Sequence, residues 1–218
     1  MATKSLESMT ELKFEIQPLA APNVRGVELR ATWSQLKILV GDRCISRVVD
    51  RRVRGERDSL FISLYPIAEW LTFHWWHLLY EVENPDRESF SSYVRRHSPW
   101  FGREGYSFPK LALIPTGEKI RLQWTPWLDV SRRLEFIEPA GSALLEIGQV
   151  KEALFDFITA VAERLGSEGL VHTPLQSEWD SLNSTQPDEA QFCRFASMLG
   201  LDPYDLEDYE RQKILTAI

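Results

Sequence analysis

Cysteine is scarce here, with only Cys44 and Cys193 in 218 residues. They stand far apart, without the paired spacing of a zinc site, so neither a disulfide framework nor a cysteine metal centre is expected. A reduced cytoplasm is the expected compartment. No apolar run approaches the roughly 18–20 residues that cross a bilayer, and no membrane role is expected. Residues Met1 to Thr10 are polar, so no secretory signal is expected there. The sequence has no P-loop and no dinucleotide fingerprint, and no cofactor is implied. It also lacks a Gly-x-Ser-x-Gly elbow, and neither cysteine sits in a catalytic signature. Positive charge is in deficit: 25 Lys and Arg stand against 32 Asp and Glu, a net charge of −7. That balance argues against nucleic-acid binding by the whole surface and leaves room only for a local basic patch.

What the sequence has in quantity is tryptophan, eight in all, and three of them fall in one segment. From Tyr65 to Glu81 the pattern predicts a helix, 65–81. Pro66 suits a first helical position, and nothing interrupts the pattern before Asn84-Pro85. Ile67, Trp70, Leu71, His74, Trp75, Leu78 and Leu79 share one face, while Phe73, Trp76 and Tyr80 make the other side aromatic as well. A helix apolar on most sides is buried on most sides, so this segment is the expected central pillar.

Around it the front half reads as strands. Leu12 to Ile16 and Val27 to Trp33 alternate apolar with polar residues. Leu36 to Val40 runs into a turn at Gly41-Asp42, then into an extended stretch from Cys44 to Val49. Leu60 to Ser63 is a strand feeding the helix. Leu111 to Ile114 and Lys119 to Trp124 flank Pro115-Thr116-Gly117-Glu118, a hairpin signature. Leu134 to Ile137 and Ala143 to Ile147 add extended pieces. From Gln149 to Leu165 the spacing turns helical, with Gly166 as the expected stop. Weaker helical signals follow at 175–182, 187–199 and 205–216. The expected fold class is α+β: an antiparallel, β-rich front domain, 1–148, around the Trp-rich helix, then an all-helical part, 149–218.

Three patches carry a family resemblance. They are Ser63-Leu64-Tyr65-Pro66-Ile67-Ala68-Glu69-Trp70 with Trp75-Trp76-His77-Leu78-Leu79-Tyr80-Glu81; Gly105-Tyr106-Ser107-Phe108-Pro109-Lys110-Leu111 with Pro115-Thr116-Gly117; and Phe192-Cys193-Arg194 with Leu199-Gly200-Leu201-Asp202-Pro203-Tyr204-Asp205. In order and spacing they resemble the amino-terminal region of longer ImmA/IrrE-family metallopeptidase-like proteins. The resemblance implies a bacterial stress, mobile-element or defence setting and a protein partner such as a peptidase or a repressor. The family's peptidase activity depends on a His-Glu-x-x-His zinc helix, and this chain has no such motif. Its zinc ligands therefore carry over to no residue here.

Candidate sites follow from residue types. His74, His77 and Glu81 lie at i, i+3 and i+7 of the Trp-rich helix, where two imidazoles and a carboxylate can converge on zinc. The alternative is that the rings satisfy buried hydrogen bonds among bulky neighbours. From Arg43 to Arg57 there are six arginines against two acids, a row that suits phosphates or an acidic protein surface. The alternative is a solvated hairpin whose charges suppress edge pairing. Arg47, Arg51, Arg52 and Arg54 are the partner-binding candidates there, and Arg95-Arg96-His97 extends the patch if it lies nearby. The aromatic loop adds Trp100, Phe101 and Tyr106. A helix-turn-helix at 187–216 is disfavoured, because Pro187 to Ile218 holds seven acids against three bases. The sequence thus reads as a non-catalytic protein-recognition or regulatory module. A zinc peptidase whose catalytic part is absent from this chain, or nucleic-acid binding by the arginine segment, are the alternatives.

Overall fold

Strand pairing organises every described part of the front half, and all of it is antiparallel. The structure is a computed structural model that describes residues 10–74, 78–79, 81, 89–98, 108–128 and 133–169. Its elements run β1 (Leu12–Pro18), α1 (Val27–Ala31), β2 (Trp33–Val40), β3 (Arg43–Cys44), β4 (Val48–Asp50), β5 (Gly55–Arg57), β6 (Leu60–Ser63) and α2 (Tyr65–Phe73). Then follow α3 (Phe90–Arg96), β7 (Lys110–Thr116), β8 (Lys119–Thr125), β9 (Trp127–Leu128), β10 (Leu134–Phe136), β11 (Gly141–Glu146) and α4 (Ile147–Ser167). The class is α+β, as the alternation of periods predicts. Among the described residues no helix is long and apolar enough to cross a membrane.

The first sheet is centred on β2, whose side chains alternate strictly: Ser34, Leu36, Ile38 and Val40 are buried and their neighbours are not. β1 pairs with β2 from Leu12↔Val40 to Pro18↔Ser34. The opposite edge of β2 is shared, β3 taking Leu39 and Val40 and β6 taking Trp33 to Leu36. Gly41, at φ 57, makes the tight turn into β3. The second sheet has the order β5-β4-β10-β9, and the third β11-β8-β7. The sequence-predicted stretch from Cys44 to Val49 is therefore two strands in two sheets, with residues 45–47 as the crossing. In the third sheet a two-residue turn joins β7 and β8. Gly117 takes φ 73 at its first central position, where a type II′ turn requires glycine.

One expected strand is a helix. Val27 to Ala31 alternates, but it forms α1, behind Gly26 at φ 99. Glu, Leu, Arg and Ala are good helix formers, and here their propensity outweighs a short alternation. The fold uses the helix to present Thr32. The fully buried Thr32 hydroxyl donates to the Glu28 carbonyl at 2.8 Å and accepts from the first amide of α2, Tyr65, at 3.1 Å. Ser63 donates to the Leu29 carbonyl at 2.8 Å. Two hydroxyls thus fix where β6 ends and α2 begins.

α4 covers the core. Val150, Leu154, Phe157, Ile158, Val161, Ala162 and Leu165 are all buried, an apolar stripe at helical spacing that packs on β1, β11 and α2. Near its last turn Arg164 donates to the Ser34 hydroxyl at 2.9 Å and to the Leu19 carbonyl at 3.4 Å, tying the helix to the first sheet. The helix runs through Gly166, and the left-handed residue beyond it is Gly169, at φ 70. The stop falls there because Leu165 is still buried in the last turn, so packing holds Gly166 helical. The helices expected beyond, at 175–182, 187–199 and 205–216, lie outside the described residues.

Close packing against Trp124 makes a direct prediction. Trp124 is buried, its indole N–H donates to the Pro139 carbonyl at 2.9 Å, and a Cβ on Gly141 would sit 2.5 Å from its ring. The ring cannot withdraw without losing that hydrogen bond. Gly141→Ala is expected to cost about 1–3 kcal/mol in urea unfolding, in the range of overpacked cores. A midpoint equal to wild type would refute the contact.

Candidate functional site

The arginine-rich segment folds as the β4–β5 hairpin, closed by the pair Asp50↔Gly55. Asp50 shapes its four-residue turn: one carboxylate oxygen accepts the Arg52 N–H at 3.0 Å, the local bond that makes Asp a turn residue. The Arg51 N–H donates to the Arg133 carbonyl at 2.9 Å, so the turn is anchored to the strand beside it. Arg54 then takes φ 52, a left-handed conformation that costs a non-glycine residue roughly 1 kcal/mol.

Most of the arginine row is spent inside the protein. Arg47 pairs with Glu56 and, at 3.5 Å, with Glu138. Arg51 reaches Glu135 through two nitrogens, at 2.7 and 3.2 Å. Arg57 Nη1 lies 3.5 Å and Arg133 Nη2 3.2 Å from one oxygen of Asp50, a side chain only 1% exposed. Burial pushes the Asp50 carboxyl up. The hydrogen bonds from Arg133 and the Arg52 N–H, with the charges of Arg133 and Arg57, outweigh it and hold the group below its ordinary range. Arg57 lies over the Phe61 ring at 4.6 Å, and burial pulls its guanidinium down against the pull of Asp50. Arg43 rests over Trp124 at 5.9 Å.

Arg52 and Arg54 remain. Both are exposed, and neither has a side-chain partner among the described residues. Between them Val53 is 72% exposed, the most exposed large apolar side chain described. Of the four arginine candidates, then, Arg47 and Arg51 are structural ion-pair partners as the hairpin stands, and Arg52 and Arg54 form its open tip. The sequence signal was present in Asp50 and Gly55, five residues apart around a charged turn, but it takes the fold to show where Glu135 and Glu138 lie.

Of the three zinc candidates, His74 and Glu81 are described. His74 closes α2; its ring stacks on Trp70 at 4.3 Å, and its Nδ1 lies 2.8 Å from the Trp70 carbonyl oxygen. Glu81 lies 3.5 Å from Nε2 of His97. Among the described residues no group of three metal-binding side chains converges. His77 lies outside them, as do Trp75, Trp76 and Tyr80. Of the predicted 65–81 helix, Tyr65–Phe73 is α2, and Leu78 and Leu79 are helical beyond it.

His97 does not extend the basic patch, because it is fully buried. Its Nδ1 lies 2.8 Å from the Tyr93 carbonyl, its ring sits 4.2 Å from that of Tyr93, and the Tyr93 hydroxyl donates to the Glu81 carbonyl at 2.7 Å. This His97–Tyr93–Glu81 clasp was missed at the sequence level. The i, i+4 spacing of Tyr93 and His97 on one helical face was its only signal. Trp100, Phe101 and Tyr106 lie outside the described residues. The neighbouring Phe108 is buried, and its carbonyl accepts the Trp127 indole N–H at 3.0 Å, so this end of the aromatic loop seals the core.

Comparison with models of known families, with curated proteins and with solved structures finds no match to this chain. Function therefore rests on the geometry of its own residues.

Proposed function

We propose that this chain is a non-catalytic protein-recognition module, and that the β4–β5 hairpin is its contact element. One observation carries the reading: three ion-paired arginines brace a hairpin that holds, at its tip, an exposed valine and two arginines without a side-chain partner among the described residues. A braced loop loses little conformational freedom on binding, which favours recognition. The resemblance to the front region of ImmA/IrrE-type proteins supports the setting: a bacterial stress, mobile-element or defence system, a cytoplasmic location, and a peptidase or repressor as partner. The all-helical arrangement of 149–218 belongs to the same proposal.

Nucleic-acid binding is the second reading, favoured by the same two arginines. Against it, carboxylates flank the tip. Glu56 and Glu135 are about half exposed beside Arg47 and Arg51 and would repel a phosphate backbone running along the sheet.

A photo-crosslinking residue in place of Val53, in the full chain expressed in bacterial cells, tests the two. A discrete protein adduct, absent when the crosslinker replaces Leu144 on the third sheet, is the expected result. Adducts removed by nuclease would establish the second reading, and no adduct at all would sink both.

A further inference from the structure

The chemistry of the tip goes further than recognition in general. Arg52 and Arg54 flank Val53 within three consecutive residues, and Val53 is more exposed than either Phe61 or Leu144. Two guanidiniums suit carboxylates, which they can grip through paired N–H donors, and an exposed aliphatic side chain between them needs an apolar recess. A polyanion offers the charge without the recess, and it would meet Glu56 and Glu135 on the flanks. Those flanking carboxylates suit a partner whose acidic groups are confined to a short segment. The left-handed Arg54 points the same way: glycine follows at position 55, yet the strained position itself holds an arginine.

We infer that the Arg52-Val53-Arg54 tip docks into a short acidic protein segment in which two carboxylates bracket an aliphatic side chain or pocket. The inference rests on the recognition reading and names the chemistry of its partner. Arg52 and Arg54 fix position and charge, and Val53 supplies the apolar contact that separates this partner from a nucleic acid.

The test is selection of a displayed random-peptide library on the immobilised full chain, with affinities of the selected peptides measured by fluorescence anisotropy. Selected sequences are expected to pair Asp or Glu with an aliphatic residue. Reversing both charges, Arg52→Glu with Arg54→Glu, is expected to weaken them at least about tenfold, and Val53→Ser about threefold or more. Arg121→Glu, on an exposed face of β8, is expected to leave them unchanged. All four positions are exposed, and the milder Arg52→Gln with Arg54→Gln variant should follow the same direction if charge reversal perturbs folding.

Three outcomes would overturn the inference. Peptides without acidic enrichment would do so, as would acidic peptides that keep their affinity for the tip variants. The latter place the binding surface elsewhere and leave the recognition reading standing. The third is labelled oligothymidylate binding as tightly as the peptides, with the same loss in the arginine variants and none for Val53→Ser. That pattern is nucleic-acid binding and sinks the recognition reading too.

Discussion

Phe157→Ala is expected to cost about 3–5 kcal/mol, enough to lower the thermal midpoint by roughly 10 °C in a chain of this size. Phe157 is 1% exposed in the middle of α4, and its ring meets that of Phe14 at 4.9 Å between centroids, tilted by 51°. Truncation removes the aromatic pair and leaves a void where the helix crosses the first sheet. α4 also holds β11 and α2, so the void cannot close without moving three elements. The apolar stripe of which Phe157 is the largest member is what holds the helix there, with Arg164 as a polar tie to the first sheet. Glu163→Ala, on the exposed side of the same helix, is expected to stay within about 0.5 kcal/mol of wild type. Equal losses for the two variants in urea titrations would mean that α4 does not seal this core.

The reach of sequence reasoning follows from what each element depends on. β1, β2 and β8 were legible from alternation and α4 from helical spacing, while β7, buried from Leu111 to Pro115 without alternation, was legible from the Gly117 turn beside it. α1 was not, because the alternation from Val27 to Trp33 weighs less than the helix propensity of Glu, Leu, Arg and Ala once Thr32 is needed at the start of α2. The arginine segment shows a different limit. Its composition announced a charged surface, yet the number of arginines free to bind depends on Glu135, Glu138 and Arg133, more than seventy-five residues later in the chain. Charge counts along a segment cannot reveal partners brought in by strand order. The contact of Glu81 with His97, sixteen residues later, was hidden from helical spacing in the same way.

Asp50 is where one of these long-range partners, Arg133, meets Arg57, and its removal is the second large effect expected. Asp50→Ala takes the carboxylate from between Arg57 and Arg133 and the turn acceptor from the Arg52 N–H. Arg57 then keeps a charge at 21% exposure, with its Nε already buried and unbonded. A fully enclosed pair broken this way costs ~3–5 kcal/mol; Arg133 is 44% exposed and water screens its side, so about 2–3 kcal/mol is expected here. Asp50→Asn keeps an acceptor for the turn and loses only the ion pairs, so it should cost less, about 1–2 kcal/mol. The pH dependence separates charge from shape. The folded carboxyl titrates below its ordinary value, so its stabilisation is fully present above that value and is lost as pH falls through the folded one. The gap between wild type and Asp50→Asn should therefore be constant near neutrality and shrink in acid. Asp58, also held low by its bond to Lys37, titrates alike in both proteins and cancels from the difference. A gap that stayed constant into acid would falsify the ion-pair account and leave Asp50 as a turn residue only. With the Asp50 carboxylate gone the tip loses part of its brace, and Asp50→Asn should weaken tip-dependent peptides less than Asp50→Ala does, because of the two variants only Asn keeps an acceptor for the Arg52 N–H.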